Sequence, residues 1–172
     1  MPDKDQGFTL IELLMTLTVL AVVLAVAIPS FTSAVNSARK RTEVNQLLAD
    51  LNFARTTAIT RRQMVSMCAG TAACDRGARW RGQILTFVDT NANGALDAGE
   101  QPLRISSVAT NLEWNWGNFR SRQYMSFKPD GTTHSLNGTF TLCRKNQALQ
   151  TIVINITGRM KHGSPQNNGN CT

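Results

Sequence analysis

A chain of 172 residues has room for one domain of ordinary size and an appendage. Its 18 Lys and Arg against 11 Asp and Glu give a formal charge of +7, and 42% hydrophobic residues exclude disorder as a description of the whole. One long apolar run excludes a multi-pass membrane protein, and four cysteines are too few for a disulfide-dense miniprotein. The charge is unevenly placed. Residues 13–28 carry none, whereas residues 36–172 hold 17 basic and 8 acidic residues.

The first seven residues are short and polar, with two acids and one Lys. Phe8 to Ile28 then form an apolar stretch, interrupted at Glu12 and closed by Pro29. As a helix this stretch is about 31 Å long, the thickness of a bilayer core. A secretory signal peptide needs a basic start and a small-residue cleavage site beyond the apolar run, but here Gly7 precedes the run. Glu12 stands out, because a carboxylate in an apolar span costs about 2.5–3.5 kcal/mol and calls for a partner. The nearest cation is the α-amino group that cutting after Gly7 creates, on the same chain or on a neighbouring subunit.

Gly7-Phe8-Thr9-Leu10-Ile11-Glu12 resembles the class III signal of type IV pilins and type II secretion pseudopilins. The resemblance implies that a prepilin peptidase cuts after Gly7 and methylates Phe8. It also implies that Glu12 helps to register subunits in a filament and that Pro29 matches the family's helix-kinking proline.

Beyond Ser30 no linker intervenes. Arg39-Lys40-Arg41 is a basic cluster, read as an anionic-lipid contact or topology signal on one side and as a solvated helix face on the other. Val44, Leu47, Leu48, Leu51, Ala54 and Ala58 recur at helical spacing, with Glu43, Asp50, Arg55, Arg61 and Arg62 on the polar side. One helix from Phe8 to about Gln63 is expected, its outer half covering a sheet. After Gln63 short β-rich runs alternate with turn residues: Met64–Cys68, Gln83–Val88, Leu103–Val108, Tyr124–Phe127, Thr139–Cys143 and Thr151–Thr157.

In this order behind the N-terminal signal, Asn52-Phe53-Ala54-Arg55, Trp80 near Gly82, Asp89 through Leu103-Arg104, Phe127-Lys128-Pro129-Asp130-Gly131, Phe140-Thr141-Leu142-Cys143 and Gly158-Arg159 resemble the FimT/GspH family. These are minor pilins and pseudopilins, and the chain is most like the FimT branch. The implied fold is α+β: a long N-terminal helix, its first half transmembrane, packed on an antiparallel β-sheet head. The implied division is a leader at 1–7, a transmembrane and filament-core helix at 8–35, and a periplasmic head at 36–172 with a flexible tail at 158–172. The implied location is the inner membrane before assembly and the pilus afterwards, with other pilins and the prepilin peptidase as partners.

Four cysteines allow three pairings, and an oxidising periplasm favours bridges. Cys68 with Cys74 as a local clasp, and Cys143 with Cys171 as a staple on the tail, is the favoured pair. Zinc is disfavoured, since there is no Cys-x-x-Cys and the histidines are limited to His134 and His162. Asp89-Thr90-Asn91-Ala92-Asn93-Gly94-Ala95-Leu96-Asp97-Ala98-Gly99-Glu100 formally matches a calcium-loop pattern. A strand-like run precedes it and Pro102 interrupts any exit helix, so a hairpin loop is preferred and no metal or other cofactor is expected. No nucleophile motif, phosphate loop or paired carboxylates point to an enzyme.

Arg144-Lys145 leave one strand, and Gly158-Arg159-Met160-Lys161-His162 open the tail. If the strands pair antiparallel, the two groups are expected at the same end of the head, as one patch for sequence-independent phosphate contacts. FimT-like pilins of natural transformation bind DNA through a Gly-Arg-x-Arg motif, which Gly158, Arg159 and Lys161 resemble with Lys in the second basic place. The resemblance thus implies non-specific binding of double-stranded DNA. The rival implication is a GspH-like pseudopilin of type II secretion, or a FimU-like priming subunit, with no DNA contact.

Overall fold

A computed structural model describes residues 9–75, 77–165 and 171. One helix, α1, runs Leu10–Arg61, and nine strands follow among the described residues. They are β1 Val65–Ala69, β2 Arg79–Trp80, β3 Gln83–Val88, β4 Pro102–Ser107, β5 Glu113–Asn118, β6 Tyr124–Phe127, β7 Gly138–Arg144, β8 Gln147–Ile154 and β9 Met160–Gly163. The chain divides into two compact units at Arg39/Lys40, four residues beyond the boundary expected from composition.

In the first unit the helix exposes its Leu, Val and Ile side chains all round and is long and apolar enough to cross a membrane. Thr9 caps its start, its hydroxyl accepting from the Glu12 N–H at 3.3 Å. The hydroxyls of Thr16 and Thr18 donate to the carbonyls of Leu13 and Met15 at 2.8 Å, so these polar groups are satisfied without water. Pro29 lies inside the helix, where its missing N–H leaves the Ala25 carbonyl without its usual donor.

In the second unit the same helix buries Val44, Leu47, Leu51, Ala54 and Ala58 on one stripe. Two residues read as polar-face are also buried: Glu43 and Asp50. Partners explain both. Glu43 accepts from the Ala109 N–H at 3.0 Å, and Asp50 pairs with Arg104 at 3.3 Å while Gln46 donates to it. The Arg104 guanidinium also lies 3.9 Å above the Phe53 ring. The helix stops at Arg61 because Arg62 turns left-handed at φ 53°, and Gln63 N–H reaches back to the Ala58 carbonyl.

The strands form two antiparallel sheets, ordered β4-β3-β1-β6 and β2-β5-β7-β8-β9. The five-stranded sheet turns Trp80, Trp114, Trp116, Phe140 and Ile152 inward. Phe140 stacks on Trp116 at 4.2 Å between centroids and meets Trp80 edge-on at 4.9 Å. Two of the three buried indole N–H groups donate to carbonyls, Trp80 to that of Gln123 and Trp116 to that of Tyr124. Strand β5 is absent from the sequence reading because its alternate residues, Glu, Asn and Gly, look like turn material. The expected strand Thr151–Thr157 is β8, shifted to Gln147–Ile154, and residues 155–159 turn the chain. The segment read as a flexible tail contains strand β9, since Thr151–Ile154 offer it a paired edge.

The disulfides are Cys68–Cys74 and Cys143–Cys171. Replacing Cys143 and Cys171 together by Ala should lower stability by about 3–4 kcal/mol on loop entropy, measured by denaturant unfolding of the tryptophan signal. Burial pushes the Glu43 carboxyl above its ordinary 4.5, only partly offset by the Ala109 N–H. The folded state therefore holds this proton more tightly than the unfolded chain, and stability falls as pH rises from about 4.5 through the raised value. Glu43→Gln, which keeps the acceptor, should flatten that slope and raise the neutral-pH unfolding midpoint.

Candidate nucleic-acid interface

The turn carrying Arg159 is held from several sides. Asn155 Oδ1 accepts from the Arg159 N–H at 2.8 Å, and the Gly158 N–H donates to the Asn155 carbonyl at 3.0 Å. From the helix, Arg55 donates to the carbonyls of Gly131 at 2.9 Å and Thr157 at 3.2 Å. The Thr133 N–H donates to the Ile156 carbonyl. Gly158 sits at φ +74°, and a Cβ there would lie 2.3 Å from the Gly131 carbonyl oxygen, so the position needs glycine twice over.

From this turn β9 alternates. Met160 packs on the core, while Arg159 and Lys161 are exposed on the opposite side. At the far end of β9, Gln150 donates to the Gly163 carbonyl at 2.7 Å. Strand β9 is the edge of its sheet.

The expected grouping of the cations does not hold. Arg144 and Lys145 occupy the β7–β8 turn, where Arg144 pairs with Gln147, whereas Lys161 pairs with Val153. The six residue steps along β8 between these registers span about 20 Å. The reason is topological: β7, β8 and β9 pair in sequence, so the turns before and after β8 fall at opposite ends of it. His162 is separated in another way. It pairs with buried Ile152 and stands, exposed, on the face opposite Lys161, at the rim of a groove of about 330 Å³ lined by Lys40, Arg41, Val44, Asn45 and Gln150.

Other residues take their place beside Arg159. The outer face of the sheet presents the row Gly117–Thr139–Val153–Lys161 and, next to it, Arg79–Asn115–Thr141–Thr151–Gly163. Small side chains keep this face low. Glu113 is the sole acid in the five strands, and Arg79 and Arg81 both pair with it. The register Asn118–Gly138–Ile154–Met160 puts the loop after β5 at the same end as the Arg159 turn. That loop is Phe119-Arg120-Ser121-Arg122-Gln123, its Phe119 ring 91% exposed. Sequence reading passed over it, although an aromatic residue followed closely by two arginines was a visible signal.

Glu12 and Pro29 both lie in the helix, Glu12 in its first turn. Gly7 and Phe8, the expected cleavage and methylation positions, fall outside the described residues. The Asp89–Glu100 segment is the hairpin loop between the antiparallel β3 and β4. Its oxygens are engaged within the loop. Asp89 accepts from the N–H groups of Asn93 and Gly94 and from the Ser66 hydroxyl. Glu100 accepts from Thr90 and Asp97. Amide donors on Asn91 and Asn93 hold the Asp97 carboxyl below its usual 3.8.

Residues 43–158 match the family model described as type II transport protein GspH, and residues 2–28 match the prokaryotic N-terminal methylation motif. No curated protein matches. Two crystal structures of the type IV minor pilin FimU from Pseudomonas aeruginosa (strain PAO1) are similar in fold, at a TM-score of 0.55 and 21% identity. Each covers 73% of this chain, with 97% and 92% of their own chains matched. The fold is that of a type IV pilin. With the GspH model spanning more than half of its residues, behind a methylation motif and an apolar helix, the chain belongs to the GspH family of pilin-like minor pilins and pseudopilins.

Proposed function

We propose that this chain is a FimT-like minor pilin that joins a type IV pilus and holds DNA without sequence preference for uptake in natural transformation. The observation that carries this reading is the placement of Arg159 and Lys161 side by side on the exposed face of an edge strand, beside a low polar surface whose one carboxylate is already paired. Phosphate contacts need cations that approach the backbone without acidic neighbours, and they need no base readout. Lys161 supplies charge without the two-pronged geometry of a guanidinium, so Arg159 is the stronger of the two contacts.

Assembly follows from the N-terminus. Prepilin peptidase cuts after Gly7 and methylates Phe8 at the inner membrane, and the apolar helix then packs among other pilins. There Glu12 meets the amine of a neighbouring subunit, and the head lies first in the periplasm and then on the pilus. A second reading, a priming subunit or secretion pseudopilin without DNA contact, is supported by the likeness of fold to FimU.

Binding of the detergent-solubilised full chain to duplex DNA, followed by anisotropy against salt, tests the first reading. Arg159→Gln with Lys161→Gln should weaken binding and reduce the salt slope by about 2, close to one unit per lost phosphate contact. Arg144→Gln with Lys145→Gln, at the other end of β8, should leave both nearly unchanged. A wild-type chain that binds no DNA at low salt favours the second reading. Intact-mass analysis should find the chain shortened by residues 1–7 and carrying one added methyl group.

A further inference from the structure

Phe119 is a large apolar side chain standing almost free of the head, 91% exposed at a loop tip. Asn118 brackets the loop that lifts it. Asn118 Oδ1 accepts from the N–H groups of Arg120 and Arg122 at 3.2 and 3.0 Å, and its Nδ2 donates to the Arg122 carbonyl at 2.6 Å. Arg120 and Arg122 follow the ring in the same loop, both exposed, and among the described residues neither has an acidic partner. Loop residues with no burial of their own ordinarily are polar, so an aromatic ring held out in one loop with two exposed guanidinium groups calls for an occupant that offers both a flat π-face and negative charge.

We propose that the Phe119 loop stacks an unpaired nucleic-acid base while Arg120 and Arg122 hold the adjoining phosphates. The loop forms a second contact beyond Arg159 and Lys161, and this inference rests on the DNA reading above. The register carries the argument. Asn118 and Met160 stand three strand spacings apart on one row, about 14 Å, which is the length of about four stacked nucleotides. Between them the neighbouring row offers Gly117, Thr139 and Val153, low enough for a strand to cross from the ring to Lys161. Stacking on an aromatic side chain flanked by cations is sequence-tolerant, because every base has a π-face. A lipid or protein occupant would call for a wider apolar patch, whereas the ring's immediate sequence neighbours are Asn118 and Arg120.

The test uses the full chain in detergent with three probes: a single strand, the same strand carrying a fluorescent adenine analogue, and a covalently closed duplex without ends. Phe119→Ala should weaken single-strand binding about tenfold, abolish quenching of the analogue, and spare the closed duplex and the salt slope. Phe119→Trp should keep both affinity and quenching. Arg120→Gln with Arg122→Gln should lower the single-strand salt slope by about 1.4. Since Phe119 touches no core residue, the unfolding midpoint of Phe119→Ala should equal that of wild type. Wild-type affinity and quenching in Phe119→Ala would overturn the inference, as would equal losses on single strand and closed duplex. If at the same time Arg159→Gln with Lys161→Gln still weakens binding, the DNA reading survives alone. A wild-type chain that binds none of the probes removes both.

Discussion

The contact on which the head depends is the packing of Phe140 against three tryptophans. Trp80, Trp114 and Trp116 come from two neighbouring strands, and Phe140 from the strand paired with one of them. Because a strand's side chains alternate, committing Trp114 and Trp116 to the core commits Glu113, Asn115 and Gly117 to the opposite face of the sheet. A slip of one residue would exchange the faces and bury a carboxylate in place of an indole. The same register runs on through β7 and β8 to β9, so the aromatic core decides which cations look outward. Lys161 stands on the outer face and His162, also exposed, on the opposite one because Phe140 and Ile152 lie in one row.

Much of this was readable from the residues. The apolar run, Glu12 and Pro29 were enough for the helix, and the Leu/Ala spacing for its buried stripe. Dense β-branched segments marked most strands. What escaped detection had physical reasons. Strand β5 hides its period of two behind Gly and Asn, and β9 is four residues long in a Gly-containing stretch whose strand character comes from the edge that β8 presents. Glu43 and Asp50 looked like solvated positions because their partners, the Ala109 N–H and Arg104, are more than fifty residues away in sequence.

The candidate site shows the same division. Arg159 and Lys161 were legible as a motif, and their exposure follows from simple alternation. Their supposed companions were assigned by nearness to strand ends, without knowing which end. Only the order β5-β7-β8-β9 reveals that Arg144 and Lys145 are remote and that residues 119–122, some forty positions upstream, are near. Charge composition reports the presence of a basic surface, while pairing order decides its membership.

Strand β9 carries one more implication. An unpaired edge is a template on which another chain can add a strand, and among the described residues β9 is such an edge. Its brevity, with Lys161 at its centre, makes that addition unfavourable: two heads approaching edge to edge would bring like charges into register. Lys161 thus also works against edge-to-edge association of two heads.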